Sequence, residues 1–316
     1  MTQDHQVTQD HHVSQDRHVT QDHPGSRPPV IISVVIPTGS VDGELAAQLR
    51  AVLAQQQVDS FEVIVSLNTD DVVARRALDV VLDEIGDGRV RSIDSSQVRG
   101  AAHARNAGAR AAHGDLLVFC DADDVVRPGW LAALTGALAG DNARFDAVSG
   151  LCVDFSDEGE VPKWLPPPPK DALPTFLGVP YLLSGNLGVK RSVFEMVGGF
   201  DETLTRCEDI ALSWQLLRKG VPIGFEPSAI LDYRIRSSVT KMLRQHYAYG
   251  IGMSEVLIRH GRPGDDGSVG AGTLLRPNNS KGGLRSPVAV LRKVAIAAGR
   301  VVGMTRERRR KRRGAR

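Results

Sequence analysis

The sequence predicts an α/β fold, a mostly parallel, Rossmann-like sheet flanked by helices. Short apolar, β-branched runs alternate with amphipathic stretches of helical period through the first half of the chain. Those runs are continuously apolar, as in strands buried on both faces, rather than alternating as in a sheet with one wet face. At 316 residues, with 41% hydrophobic and 24% charged, the chain can bury a substantial core.

The first strand is Val30–Ile36, ended by Pro37, and Asp42 then caps a helix carrying Leu45, Leu49, Val52 and Leu53 on one face. Phe61–Leu67 is the second strand, followed by a helix over Asp71–Glu84 and a weaker strand, Arg89–Ile93. An Ala-rich helix spans Ala101–His113, and Asp115–Cys120 is a fourth strand running on into Asp121. A helix over Pro128–Leu138 and a strand over Ala147–Cys152 complete this half.

The pattern then changes. Residues 156–180 contain seven prolines, four of them at Pro166–Pro169, so a long irregular segment is expected. Beyond it come a strand at Leu187–Lys190, helices at Arg191–Val197 and Asp209–Lys219, and short strands at Ile223–Phe225 and Ile230–Tyr233. Ile210, Trp214 and Leu217 share one face of the second helix. A longer helix covers Val239–Arg259, residues 261–283 are Gly-rich, and a cationic helix covers Pro287–Met304. The organisation read from this is a leader (1–29), a main domain (30–260, divided into 30–155 and a smaller acceptor-side region, 156–260), and a linker, helix and basic tail (261–316).

The leader is a degenerate six-residue repeat (TQDHQV, TQDHHV, SQDRHV, TQDHPG) too polar to repay its ordering entropy, so it is expected to be disordered. The net charge of +2 conceals an asymmetry. Residues 306–316 hold eight Lys/Arg against one Glu, leaving 31 basic against 36 acidic residues elsewhere. Three separated cysteines without C-x-x-C spacing argue against a disulfide framework or structural zinc site, and fit a reducing compartment. With a polar N-terminus and no run of 18 apolar residues, a cytoplasmic protein is expected. The basic tail beside a cationic amphipathic segment admits two readings, attraction to anionic lipid headgroups at the inner face of a membrane or a solvated tail. No nucleic-acid partner is expected, because the body is acidic and aromatic interleaving is absent.

The chemistry concentrates at Asp121-Ala122-Asp123-Asp124, delivered by the apolar run Leu116–Cys120. Open α/β sheets bind ligands at the carboxyl ends of their strands. In extended chain Asp121 and Asp123 would face one site while Asp124 points elsewhere. Two hard oxygen donors suit Mg2+ or Mn2+ shared with substrate phosphates, and a solvated acidic turn is the competing reading.

Context separates these. Gly100–Gly108, including Arg105-Asn106, precedes the strand and is followed by Ala112-His113-Gly114-Asp115; strand 1 ends in Ile36-Pro37-Thr38. Later come Gly198-Gly199-Phe200-Asp201-Glu202 and Cys207-Glu208-Asp209. In this order and spacing, over about residues 31–250, the chain resembles the family 2 glycosyltransferases, which have the GT-A fold. The resemblance implies a sugar moved from a nucleoside-diphosphate sugar, a UDP-sugar as the expected donor, to an acceptor hydroxyl. Pro37 and Thr38 would line the nucleotide pocket, and Arg105 and Asn106 would approach the base, ribose or diphosphate. Asp121 would hold ribose or sugar, Asp123 would ligate the metal, and Asp209 would deprotonate the acceptor, with Glu208 orienting it or sharing that role. His246 is a candidate to complete the metal shell. Ser184-Gly185-Asn186 opens the acceptor half, where Gly185 and Asn186 would let an acceptor approach or simply form a strand-initiating turn.

The match departs in three places. Family members carry an acidic pair directly after strand 2, where this chain has Asn68-Thr69-Asp70-Asp71, so Asn68 or Asp70 would read the base. Gly39-Ser40 replaces an aromatic-Asn pair, and the Q-x-x-R-W of processive synthases is absent after Gln245. The expectation is a non-processive, inverting enzyme of cell-envelope polysaccharide synthesis with a sugar, lipid-linked or other hydroxyl acceptor. Two alternatives stand: a nucleotidyltransferase, and a catalytically degenerate glycan-binding or scaffold protein on the same fold. The first would be expected to carry a Gly-rich, Arg/Lys-bearing loop after strand 1, which Pro37-Thr38-Gly39-Ser40 does not supply.

Overall fold

The computed structural model describes residues 31–58, 60–140, 143–156, 159, 161, 170–235, 238–265 and 287–314. The repeat leader, Pro166–Pro169, Trp164 and most of the Gly-rich segment lie outside the described residues.

Most elements follow the expected order. A small hairpin, however, lies within the segment expected to be irregular, and the last helix runs past the expected end at Met304 to Gly314, taking in most of the basic tail. The first elements are β1 (Ile32–Thr38), α1 (Gly43–Leu53), β2 (Phe61–Leu67), α2 (Val72–Ile85), β3 (Val90–Asp94), α3 (Ala101–Ala111), β4 (Leu116–Cys120), β5 (Val125–Val126) and α4 (Trp130–Leu138). After β6 (Ala147–Phe155) and the small hairpin β7 (Thr175–Phe176) and β8 (Val179–Pro180) come β9 (Asn186–Lys190), α5 (Arg191–Met196), α6 (Glu208–Arg218), β10 (Ile223–Arg234), α7 (Val239–His260) and α8 (Pro287–Gly314).

Eight strands form one mixed sheet in the order β3-β2-β1-β4-β9-β6-β10-β5. From β3 through β4 every pairing is parallel, β9 runs antiparallel to both neighbours, and β6 and β10 are again parallel. Alternation along β1 sets the layers. Ile32, Val34 and Ile36 pack with Leu45 and Leu49 of α1, Leu78 of α2 and Trp130 and Leu134 of α4. Val35, on the opposite face, joins Ala102 and Ala109 of α3, Phe194 of α5 and Leu212 and Leu216 of α6. Fully burying a Leu or Phe in such a layer stabilises by about 1.5–3 kcal/mol. A third cluster seats Phe176, Ile210, Trp214 and Val256 together, with the Phe176 and Trp214 rings stacked at 5.5 Å.

Helix ends obey local chemistry. Asp42 and Asp71 each accept a hydrogen bond from the backbone two residues on, satisfying donors that α1 and α2 leave unpaired. Gly86 closes α2 in the left-handed conformation, φ 60°.

Several expectations need correction. The two short strands at Ile223–Phe225 and Ile230–Tyr233 are one strand, β10, whose register against β6 shifts between Glu226 and Ile230. Pro227, which has no N–H to donate, lies within the shift. Strand β6 extends to Phe155 because β10 pairs along its whole length. The two-residue strand β5 pairs antiparallel with β10 and was too short to leave a period in the sequence. Among the described residues no helix is long and apolar enough to cross a membrane.

The parallel order has one functional consequence. The chain reaches β2 by α1 on one face, then returns by α3 on the other face to place β4 on the opposite side of β1. That reversal opens a crevice at the carboxyl ends of β1 and β4, where doubly wound sheets receive ligands.

Candidate functional site

A cleft of about 750 Å3 occupies that crevice. Its walls bring together Pro37 and Thr38 from the end of β1, Asn68 after β2, Arg105 from α3 and Asp121 and Asp123 after β4. Glu208 and Asp209, in the first turn of α6, form the facing wall.

Arg105 lies at the centre, only 4% exposed. Its Nη1 donates to Glu208 Oε1 at 2.9 Å and its Nη2 to Asp121 Oδ1 at 2.5 Å. The guanidinium also lies 5.7 Å from the centre of the Phe200 ring. Burial alone would make it a weaker cation, but Asp121 and Glu208 more than offset that and hold it protonated. The bridge ties α3, the β4 turn and α6 into one unit. Removing one member of a buried pair commonly costs about 3–5 kcal/mol, because the partner charge is left unpaired.

The acidic segment is a turn rather than extended chain, with the bend at Ala122 and Asp123. The simple two-residue alternation therefore does not continue past Cys120, although Asp121 and Asp123 both line the cleft. Asp124 is turned inward, 1% exposed, with its Oδ1 accepting from the backbone N–H of Arg234 at 2.9 Å. Burial and the neighbouring Asp121 push its carboxyl up to about 8, which favours its neutral form over a third anion in the turn.

Distant side chains hold this turn. Gln48 of α1 donates to the Asp121 carbonyl at 3.0 Å and accepts from Val126 N–H at 3.0 Å. Arg234 of β10 donates from Nε to the Asp123 carbonyl at 2.8 Å and pairs with Glu44 at 3.2 Å. Neither contact leaves a local signal, since the partners lie 73 to 111 residues away in sequence.

The facing wall is set by backbone conformation. Cys207, just before α6, has φ 65°, a left-handed value that costs a non-glycine residue on the order of 1 kcal/mol or more. It turns the chain so that Glu208 and Asp209 open the helix, where exposed N–H groups favour negative charge. Asp209 Oδ1 accepts from Ile210 N–H at 2.8 Å. Burial, and then the charge of Glu208, raise its carboxyl well above the ordinary carboxylate range, yet part of its surface stays open to the cleft.

Four expected site residues do not line the cleft. Asn106 is spent on structure, its Nδ2 donating to the Phe200 carbonyl and to Glu202, and its Oδ1 accepting from Phe200 N–H at 3.0 Å. It pins the Gly198–Glu202 loop that precedes α6. Asn186 is fully buried, accepting from Trp130 Nε1 at 2.8 Å and donating to the carbonyls of Leu151 and Ala229, so no acceptor reaches it. Gly185 lies against the acidic turn: a Cβ there would stand 2.7 Å from Asp121 Oδ2. His246 lies 2.9 Å from the Met242 carbonyl through Nδ1, which therefore carries the proton, and burial lowers its basicity.

Asn68 does line the cleft, but its amide donates to the carbonyls of Ser95 and Val98 and accepts from Gly100 N–H at 2.7 Å. It organises the loop between β3 and α3. Asp70 forms an ion pair with Arg99. Tyr181, which with Trp164 flanks the acceptor half and is a sequence candidate to stack on a sugar, also lines the cleft, as do Arg206, Tyr249 and Met253, which the sequence does not single out. Tyr249 reaches it from α7.

Among the described residues no three His, Cys, Asp or Glu side chains form a set that could hold a metal alone. Hard cations of the Mg2+ type are commonly held by one or two carboxylates, with substrate phosphates and waters supplying the rest. Asp123 in the cleft, beside Asp121, fits that division of ligands.

Comparison with known proteins agrees with this architecture. The model of the family described as glycosyl transferase family 2 matches residues 33–198. The chain is 29% identical over 180 residues to a pre-mycofactocin glycosyltransferase of Mycobacterium tuberculosis, covering 51% of this chain and 36% of that protein. It is 30% identical over 226 residues to a validoxylamine A glucosyltransferase of Streptomyces hygroscopicus subsp. limoneus, covering 61% and 49%. The chain thus spans about a third to a half of the length of these relatives. Among solved structures it resembles a mannosyltransferase from Pyrobaculum calidifontis in complex with GDP-Man and Mn2+, with TM-score 0.57 and 17% identity over 73% of this chain and 65% of that one. At that identity the likeness extends to the fold alone, which is of the GT-A type.

Proposed function

The chain belongs to glycosyltransferase family 2, and from that premise we propose that it transfers a sugar from a nucleoside-diphosphate sugar, a UDP-sugar, to an acceptor hydroxyl. One observation carries the reading. Arg105 joins Asp121 on the donor wall to Glu208 on the facing wall, one residue from Asp209, within a single cleft at the switch point of the sheet.

On this reading Pro37 and Thr38 bound the nucleotide, and Asn68 shapes the base end through the loop it holds. Asp121 takes a ribose or sugar hydroxyl while Arg105 fixes its orientation, and Asn106 acts indirectly by pinning the loop before α6. Asp123 would hold Mn2+ or Mg2+, which when bound supplies positive charge to the leaving diphosphate. The relative from Pyrobaculum calidifontis, seen with Mn2+, supports that choice of ion.

The acceptor hydroxyl attacks the anomeric carbon as the bond to the diphosphate breaks. Its proton passes to the Asp209 carboxylate, and the electron pair leaves with the nucleoside diphosphate. A hydroxyl is too weak an acid to attack unaided, and a positioned base contributes about 10² to 10⁴ in rate. The raised carboxyl of Asp209 makes it a stronger base than an ordinary aspartate, while Asp121 and Glu208, both engaged by Arg105, are suited to orientation. One displacement with one base inverts the anomeric centre. The absence of the Q-x-x-R-W pattern supports one sugar added per encounter.

The test is release of nucleoside diphosphate from a panel of sugar nucleotides with Mn2+. Wild-type protein is expected to release it, and Asp209→Asn to lose about 10² to 10⁴ in kcat while still binding the nucleotide. Equal turnover by the two proteins would remove Asp209 from its role.

A further inference from the structure

The geometry points to α8 as a docking face for an anionic lipid bilayer, attached directly behind the wall of the cleft.

Helix α8 is about 42 Å long at the usual rise per residue, and one of its faces is fully committed to α7. A Cβ on Gly299 would stand 2.1 Å from the Tyr247 carbonyl, and one on Gly250 would stand 2.2 Å from the Ile296 carbonyl. The two backbones are therefore in direct contact. Ser254 Oγ donates to the Arg300 carbonyl at 3.1 Å, and Arg259 pairs with the buried Glu307 at 2.5 Å. These contacts fix which side of α8 faces outward.

The outward side is apolar along most of its length. Leu291, Val294, Val301 and Met304 are 40–59% exposed, recurring at helical spacing with exposed Ala297 and Ala298 between them. The stripe runs directly into exposed Arg308, Arg309, Arg310, Lys311 and Arg312. Large apolar side chains followed by a block of cations match the two layers of a membrane interface, acyl chain beneath anionic headgroup. Parallel pairing with a second copy of this chain would set two such cationic blocks side by side.

The same helix lies close to the chemistry. Tyr249 and Met253 line the cleft from one side of α7, while Gly250 and Ser254 receive α8 on another. Arg300 of α8 also donates to Met253 Sδ at 3.6 Å. A bilayer against the outward face would lie one helix layer from Tyr249 and Met253. That placement suits an acceptor carried by the membrane, a consequence that rests on the transferase reading; the docking itself does not.

Co-sedimentation of the full chain with vesicles separates the two. Vesicles of equal parts phosphatidylcholine and phosphatidylglycerol are expected to carry the protein down, whereas phosphatidylcholine alone is not, and added salt should release it. Replacing Arg308, Arg309 and Arg310 together with Gln should lower partitioning on the order of a hundredfold. Val294→Glu with Val301→Glu should also abolish it, with the melting transition retained because both side chains point outward. No difference between the two vesicle types would overturn the proposal, as would a concentration-dependent dimer that protects the stripe and is lost in the Val294/Val301 variant. Nucleotide binding, measured on the same samples, reports on the transferase site independently.

Discussion

At the scale of single residues, the site is an arrangement of charge that Arg105 makes compatible with burial. Asp121 and Glu208 face it from opposite walls, each paired with the guanidinium between them. Arg105→Lys keeps the charge but cannot supply the forked geometry. It should reduce kcat/KM by at least tenfold with a small loss of thermal stability, whereas Arg105→Ala should destabilise by about 3–5 kcal/mol. Chemical denaturation alongside steady-state kinetics separates the two. The raised carboxyl of Asp209 makes a second prediction. Activity needs the deprotonated base, so kcat/KM should fall as pH drops through a value well above the ordinary aspartate range. Glu208→Gln removes a charge that opposes ionisation, so in the variant the acidic limb should move to lower pH. A pH profile that does not move would show that Glu208 does not tune the base.

At the scale of elements, much of the donor side was legible because it is local. Strand β2 begins and ends where its apolar run does, and Asp42 caps α1 as the sequence predicts. The motif residues Pro37, Thr38, Arg105, Asp121, Asp123, Glu208 and Asp209 converge on one cleft. What escaped the sequence is long-range. The continuity of β10 depends on pairing with β6, and the clasp of Arg234 on the Asp123 turn joins elements with no shared period. Buried amides were misread for the same reason. Asn186 and Asn106 look like ligand contacts in a motif, but burial with paired polar groups gives them structural work. Gly185 shows the correction in testable form. Its Cβ would meet the Asp121 carboxylate at 2.7 Å, so Gly185→Ala should weaken donor binding rather than acceptor binding. Separate KM values for donor and acceptor decide this: a change confined to the acceptor would contradict the placement. Gly299→Val should likewise part α8 from α7 and lower stability by about 1–3 kcal/mol, read as a fall in Tm.

At the scale of the whole molecule, the sheet reversal between β1 and β4 makes the crevice, and two helical layers close it. Helices α1, α2 and α4 cover one face and α3, α5 and α6 the other. The third cluster, around Trp214 and Val256, then attaches α7 so that Tyr249 and Met253 complete the wall. On the proposed function, this order separates binding from chemistry. The donor side is carried by loops after parallel strands, and the proposed base by a helix that enters from the other side. Melting measured with UDP, with and without Mn2+, on wild-type and Asp123→Ala protein tests this account most directly. Saturating nucleotide at a hundred times its Kd stabilises by about 2.7 kcal/mol, so wild-type Tm should rise by several degrees when Mn2+ is present. Asp123→Ala should lose the metal-dependent part of that rise. A folded wild-type protein whose Tm is unmoved by UDP or any other nucleoside diphosphate, with or without Mn2+, would contradict the account.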